Sequence, residues 1–386
     1  MTLHPIDIQL RPASIPTSLP ERHPVNLRHA NLRCCSLNEL PRETEEFWLR
    51  MHRQDPRFDS PYYHPEFVRA VAAVRDDVEI AVFENESNQT VAVFPLQRIS
   101  EHVADPIGGR MNDYHGLIAA QDTIIDIPNI MDRLNLQRFR FHALSQNFPG
   151  FDSYTFEKLP SYFVDIGDGF DEYQHWLNRH SSTIKRLPQK IRSLARNVGP
   201  VKFEFETFNA NVVEQMIELK RKKYQKTKTF DILSVDWAAN LLREIAKMNG
   251  EKFRGITSAL WAGEKLIAAH VGMISDHILH YWFPSFDPHF NKYSPGLQLM
   301  LNTIKSAAKA DIKRIDMSYG QSEFKDKFCN GSNYVNFGVV DNNRLRFEFL
   351  NARYQVRKKL KEIPFKQPVK TALRMVFPNF GGWNFK

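Results

Sequence analysis

Two hydrophobic periods alternate along the chain. From Val78 to Arg98 the run VEIAVFENESNQTVAVFPLQR carries β-branched and apolar residues on both sides of a polar segment at Asn85 to Asn88, which predicts a β-hairpin. Helical spacing precedes it. Phe47 and Trp48 mark one helix, and Pro65 opens another whose Phe67, Val68, Val71 and Ala72 fall on one face. After the hairpin, GLIAA from Gly116 reads as a third strand. Ile127, Ile130, Met131 and Leu134 mark an amphipathic helix, and RFRFHAL from Arg138 a fourth strand. The order is strand, strand, strand, helix, strand.

The second half repeats that order. Val213, Met216 and Ile217 mark one helix; Trp237, Leu241, Leu242, Ile245 and Met248 mark another, closed by Gly250. GITSALWAGEKLIAAHVGMIS turns at Ala262 to Glu264, HILHYWFPSF is a third strand, SPGLQLMLNTIKSAAKA a helix and RIDMSYG a fourth strand. From Ser87 in the first turn to Phe139 in the fourth strand is 52 residues, and from Gly263 to Ile315 is again 52. Two copies of one α/β unit therefore account for a length of 386 residues. The fold class expected is α/β of the α+β kind, with mixed central sheets flanked by helices. Residues 1–27 form a Pro-rich lead-in, 28–160 the first unit, 161–343 the second, and 344–386 a basic helical tail.

Charge sharpens this division. The chain carries a formal +8, yet residues 344–386 hold eleven Lys/Arg against two acids, so the body is nearly neutral. The tail's Leu345, Phe349, Ala352, Val356 and Leu360 form a helical stripe with Arg353, Arg357, Lys358, Lys359 and Lys361 outside it. Docking of that stripe on the body is the preferred reading. A peripheral membrane or protein contact, aided by Phe377, Phe380, Trp383 and Phe385, is the alternative. Within the body, Arg179 to Arg196 and Lys220 to Lys228 each hold six basic residues, as solvated faces or as anion-facing rims. A composition 42% hydrophobic excludes disorder. The three cysteines, two of them adjacent, fit a reducing compartment; with no signal-like or membrane-spanning apolar run, a cytoplasmic location is expected. No HExxH or CxxC spacing occurs, and His277 and His280, three apart in a strand, point to opposite faces, so no metal is expected.

One helix start has candidate chemistry. Ser294 can cap, Pro295 suits the first helical position, and Gly296 lets a group approach the backbone. A free N-terminus of this kind suits a pyrophosphate, with Lys292 adding charge, although Ser-Pro-Gly can equally do no more than start a helix.

The segments LWAGEKLIAAHVG, WFPSFDPHFNKYSPG, RIDMSYGQSEFKDKF and NDYHG together resemble the CelD/BcsL-like branch of the GNAT acyltransferases, which is linked to cellulose biosynthesis. Similar tandem units occur in FemABX peptidyltransferases. The resemblance covers residues 28 to 343 and is strongest from Gly255 to Phe328. It implies a second unit that binds acetyl-CoA or another acyl-CoA. His280 to Phe283, with Tyr281 and Phe283, would lie beside the pantetheine arm, and Lys292, Ser294, Gly296 and Leu297 would receive the pyrophosphate. The loop departs from the family's Q/R-x-x-G-x-G/A, since Lys292-Tyr293-Ser294-Pro295-Gly296 has one glycine and a proline without an N–H. The first unit, with QDTIIDIP before its helix, is expected to be a non-binding copy that shapes the acceptor cleft.

Acyl transfer needs a base for the acceptor proton, donors for the carbonyl oxygen and an acid near the leaving thiolate. His270, among apolar neighbours in IAAHVG, is either a neutral base or a buried structural histidine. Asp316 and Glu323 are alternative bases, or structural partners of Lys325. Tyr319 is the candidate acid. Asp113 and Tyr114 either face the acceptor across the junction or belong to a turn made by Asn112-Asp113; Trp282 and Lys325 complete the acceptor set. The function expected is acyl transfer to an amine or hydroxyl of a small-molecule or saccharide acceptor, in exopolysaccharide metabolism. FemABX-like transfer from aminoacyl-tRNA and a non-catalytic scaffold are the alternatives, and an acidic carrier protein is a possible donor. No charged heptad insertion for a coiled-coil arm is present.

Overall fold

A computed structural model describes residues 24–145, 149–167 and 169–362. The first half runs β1 (Asn31–Cys35), α1 (Arg42–Gln54), α2 (Pro65–Ala72), β2 (Val78–Glu84), β3 (Thr90–Ser100), β4 (Val103–Pro106), β5 (Ile118–Ala119), α3 (Ile127–Arg133), β6 (Arg138–Ser145) and β7 (Thr155–Asp165). The second half runs α4 (Phe170–His180), α5 (Ser182–Lys185), α6 (Leu187–Asn197), β8 (Val201–Glu204), α7 (Ala210–Thr227), α8 (Asp236–Lys247), β9 (Phe253–Ala262) and β10 (Lys265–Ser275). It continues with β11 (Ile278–Phe286), α9 (Pro295–Lys309), β12 (Arg314–Tyr319), α10 (Glu323–Phe328), β13 (Gly331–Asp341) and α11 (Arg344–Glu362).

Both predicted hairpins form, for local reasons. Between β2 and β3 the Asn85 side chain accepts from the Ser87 and Gln89 amides, and Asn88 takes the left-handed conformation at φ 57°. Gly263 does the same between β9 and β10 at φ 59°. One expectation needs correcting. The strand that follows the first hairpin is β4, and the segment from Gly116 contributes only the two residues of β5, paired to β3. A four-residue strand containing Asp105 and Pro106 carries too little alternation to show as a period.

All thirteen strands of the described residues belong to one sheet, ordered β1-β2-β3-β4-β6-β13-β7-β12-β11-β10-β9-β8 with β5 beside β3. The centre of that order is an exchange. β7 follows β6 in the chain but lies against β12, while β13 follows β12 and lies against β6, and the two pair antiparallel with each other. Each half thus closes its partner's sheet. Each half also holds one parallel pair joined through a helix, β4 with β6 through α3 and β11 with β12 through α9.

Two cores follow. One runs through the first half and on to the face of β9–β11 covered by α7 and α8, and includes Trp48, Phe67, Phe139, Leu241 and Phe283. The other lies on the opposite face under α4, α6 and α9, with Leu187, Leu194, Tyr281, Met300 and Ile304. Arg314 on β12 ties the halves together, bidentate to Asp59 at 2.7 and 2.9 Å and bonded to Asp316 at 2.9 Å.

The tail helix α11 forms as predicted, but its docking face is the other one. Phe347, Tyr354 and Gln355 meet Phe156 and Glu157 of β7, while Leu345, Phe349 and Val356 face solvent. Phe377, Phe380, Trp383 and Phe385 lie outside the described residues.

Candidate active site between the two units

The parallel pairs diverge, and the two gaps they open differ. β11 pairs with β12 only as far as His280 opposite Asp316, although β11 continues to Phe286. β4 leaves β6 after Ala104 opposite Phe139, but there the chain itself fills the gap. His115 donates its amide to the Ala143 carbonyl at 3.4 Å and accepts from the Ser145 amide at 3.2 Å, acting as a one-residue strand. Tyr63 Oη clamps the His115 carbonyl at 2.7 Å. At the foot of the same gap, Asp126 caps α3 by accepting from the Asn129 amide, which puts a carboxylate where a phosphate would bind.

The loop that fills the first gap faces the second. Asn112 shapes it, donating to the Ile107 carbonyl at 2.9 Å and accepting from the Tyr114 amide at 2.7 Å. Tyr114 Oη is bonded to Ser161 Oγ on β7 at 2.6 Å, and Asp113 Oδ2 lies 3.0 Å from His280 Nε2. The imidazole is wholly buried, whereas the Asp113 side chain keeps 15% of its surface. Asp113 is therefore the solvent-facing member of the pair. Tyr62 packs its ring edge on His280 at 4.8 Å and reaches Asp113 with its hydroxyl at 3.5 Å. Trp282, half-buried, lies beside Tyr62 and Phe67.

Across the gap, β12 ends in a shaped turn. Ser318 and Gly320 have φ of 67° and 82°, and Lys325 Nζ donates to the carbonyls of Ser318, Tyr319 and Gly320 at 2.9, 2.7 and 2.8 Å. The ammonium thus fixes the Tyr319 backbone. Burial pushes the Lys325 pKa down, and burial with the Asp113 charge pushes Tyr319 well above the ordinary tyrosine value, so its hydroxyl keeps its proton.

The other sequence candidates fall elsewhere. Asp316 is buried and bonded to Arg314, not to Lys325. Glu323 is 94% exposed and pairs with Lys327. His270 is wholly buried on the α9 side of β10, stacked on Tyr281 at 4.0 Å with Nδ1 3.4 Å from Ser258 Oγ. Burial lowers its pKa to about 3, so it is a neutral core residue on the face opposite His280 and Asp113. Gly272 makes room for this arrangement: a Cβ there would fall 2.3 Å from the His280 carbonyl and 2.5 Å from His270 Nε2. Phe283 is buried under Lys220, whose Nζ lies 5.5 Å from the ring centre.

At the start of α9, Ser294 occupies the N-cap position without capping. It stands at φ 56°, and its Oγ accepts from Lys190 Nζ of α6 at 2.7 Å. The Gln298 amide bonds the Ser294 carbonyl, Leu297 shares it, and Pro295 has no N–H to offer. Gly296 and Leu297 are partly accessible, and exposed Lys292 lies over the Tyr293 ring at 4.9 Å. The electropositive character of the loop comes from Lys190, Lys292 and the helix dipole rather than from a full cradle of amides.

Sequence reasoning missed four contributors. In the sequence His280 figures only as a metal candidate beside His277 and as the start of the strand beside the pantetheine arm, and its partner Asp113 lies 167 residues away. Tyr62 carries no motif. Lys190 was one of a basic run until the fold put it on Ser294. Lys220 was likewise counted with a run, yet it turns inward, donating to the Pro284 carbonyl of β11 at 3.1 Å, and burial lowers its pKa to about 7. Its neighbours Arg221 and Lys222 pair with Asp231 and Glu218. Among the described residues no group of three or more His, Cys, Asp or Glu is placed to hold a metal ion, and no helix is long and apolar enough to cross a membrane.

This geometry agrees with what the chain is similar to. Residues 181–326 match the family described as acetyltransferase (GNAT) domain, which spans the open gap, α9 and the β12 turn. The solved structure of FemX is similar over 83% of this chain and 100% of its own, with 9% identity and a TM-score of 0.54. A tandem GNAT protein from the clavulanic acid biosynthesis pathway, solved without AcCoA, is 8% identical over 81% of this chain and 99% of its own, with a TM-score of 0.48. The C-terminal domain of a putative lysylphosphatidylglycerol synthetase from Agrobacterium fabrum is 12% identical over 82% and 97%, with a TM-score of 0.46. No curated protein matches the sequence. Residues 181–326 are thus similar to a GNAT acetyltransferase domain, and the chain's fold is similar to that of FemX.

Proposed function

We propose that the protein is an acyltransferase that moves an acetyl or other acyl group from an acyl-CoA donor to an amine or hydroxyl of a small-molecule or saccharide acceptor. The observation that carries this reading is the opening of β11 from β12 beyond His280 and Asp316, with the α9 N-terminus at one end and Asp113 of the other unit facing it. The residues fit such a donor. Beyond His280, β11 no longer has β12 as a partner, so its backbone from Tyr281 to Phe283 would run beside an extended pantetheine arm, and Lys190, Lys292, Ser294, Gly296 and Leu297 would receive its pyrophosphate. The donor supplies an activated thioester carbonyl.

In this reading the chain's own groups do three things. Asp113, backed by His280, takes the proton from the acceptor nitrogen or oxygen as that atom bonds to the acyl carbon. The Tyr319 hydroxyl keeps its own proton and donates a hydrogen bond to the thiolate released when the carbon–sulfur bond breaks, and that thiolate takes its proton from water. Tyr62, Tyr114 and Trp282 wall the acceptor side, and Lys325 holds the Tyr319 turn. The first unit, its own gap closed by His115, serves as that wall. A role in exopolysaccharide or cellulose biosynthesis is proposed from the likeness of motifs.

Calorimetry with acetyl-CoA and longer acyl-CoA tests the donor, and release of free CoA thiol with a panel of amines and amino sugars tests transfer. Asp113→Asn is expected to keep donor affinity and to lower turnover by about 100-fold. The proposal is lost if no acyl-CoA binds at sub-millimolar concentration, or if Asp113→Asn turns over like the parent.

A further inference from the structure

The helix α11 has two faces with different fates. One is fixed to the body: Phe347 packs on Tyr154 and Phe156 at 6.2 and 5.4 Å between ring centres, Tyr354 packs on Phe156 at 5.6 Å, Gln355 donates to the Phe156 carbonyl at 3.0 Å, and Lys358 pairs with Glu157 at 2.7 Å. At its start Asn343 Oδ1 accepts from the Arg346 amide and Arg346 pairs with Asp341. The helix is therefore anchored. Its opposite face is apolar and open, with Leu345 83%, Phe349 65% and Val356 59% exposed and Ala352 exposed between them. Steps of four, three and four residues keep these side chains within a narrow angle of one another. Arg353 and Lys359, both exposed, fall to either side of the stripe on that helical period.

Charge selects the occupant. Over Arg344–Glu362 there are seven Lys/Arg against two acids, and the sequence after Glu362 adds four more Lys/Arg and no acid. A second copy would bring two such helices together against like-charge repulsion. We propose that the open face of α11 docks on an anionic membrane surface, with Leu345, Phe349 and Val356 in the acyl boundary and Arg353 and Lys359 at the headgroups. Stripe and flanks are the two halves of interfacial binding, apolar burial and attraction to negative lipid. The proposal does not depend on the acyl-transfer reading.

Co-sedimentation of the full chain with vesicles of phosphatidylcholine, alone or mixed with phosphatidylglycerol, tests it. Binding is expected on the mixed vesicles, about tenfold or more above the neutral ones, and weaker in added salt. The variant Leu345→Glu, Phe349→Glu, Val356→Glu is expected to lose about tenfold or more of that binding. All three positions are exposed, so thermal melting should stay unchanged. A second variant, Arg353→Glu with Lys359→Glu, keeps the stripe and should lose the preference for the anionic lipid. Equal binding to both vesicle types, full binding by the stripe variant, or a dimer that the stripe variant dissolves would each overturn the proposal.

Discussion

Substituting leucine for His270 separates a core histidine from a catalytic one through the pH dependence of stability. His270 is wholly buried against Tyr281, with its pKa lowered by burial from 6.5 to about 3. In the unfolded chain the imidazole titrates near its ordinary value. Below that value the unfolded state binds a proton that the folded state refuses, so stability falls as pH falls, from about 6.5 down to about 3. At about pH 8 both states are neutral and the residue adds no pH-dependent term. At about pH 5 the unfolded histidine is almost wholly protonated and the folded one is not, which amounts to a loss of about 2 kcal/mol. Urea unfolding followed by tryptophan fluorescence, on the parent and on His270→Leu at both pH values, measures it. Lost stacking and altered packing shift the variant equally at both pH values, and His64, His115 and His142, also buried with lowered pKa values, are common to both proteins. The stability difference between the two proteins should therefore move by about 2 kcal/mol in favour of the variant between pH 8 and pH 5. A difference that stays constant with pH would mean that His270 accepts a proton in the fold, and the burial argument would fail. Acyl transfer by the variant should survive at neutral pH.

Two further outcomes follow from contacts outside the proposed catalytic pair. Arg314→Met leaves Asp59 and the almost wholly buried Asp316 without their cation, and should cost about 3 to 5 kcal/mol in urea unfolding, more than Asp59→Asn, which removes only one of the two charges the guanidinium serves. Lys190→Ala removes a cation from the α9 N-terminus without touching the core, so calorimetry should show acyl-CoA binding weaker by about three- to tenfold with the melting temperature little changed.

The parts of the fold visible in the sequence are those whose signal is local. The two hairpins, α9 and β12 lie where period and turn chemistry predict, because alternation, Asn88, Gly263 and Ser-Pro-Gly act within a few residues. β4 was hidden by its length, and the exchange of β7 and β13 by its nature: pairing of Gly331 with Phe163 and of Val335 with Ser145 is a long-range choice. The tail shows a different limit. A helical period identifies an apolar stripe but not which way it faces, and the body met Phe347 and Tyr354 on the other side. At the site, Asp113, Tyr114, Tyr319 and Trp282 came from motif segments, but the partner that makes Asp113 a paired carboxylate is His280, on the strand of the other unit.

That last pair also gives a physical reason for keeping two units where one would hold the donor. The first unit's gap is closed by Asn112 to His115, a segment held at one end by Tyr63 on the His115 carbonyl and at the other by the Asn112 side chain. Closure sets Asp113 against His280 and Tyr114 against the exchanged strand β7, whose Ser161 meets Tyr114 while β7 pairs with β12. The element that fills the first gap is thus the same element that furnishes the proposed acceptor wall of the second. A loop fixed by buried tyrosines and backbone bonds loses little freedom when an acceptor binds, which is the preorganisation that proton removal at a positioned carboxylate requires.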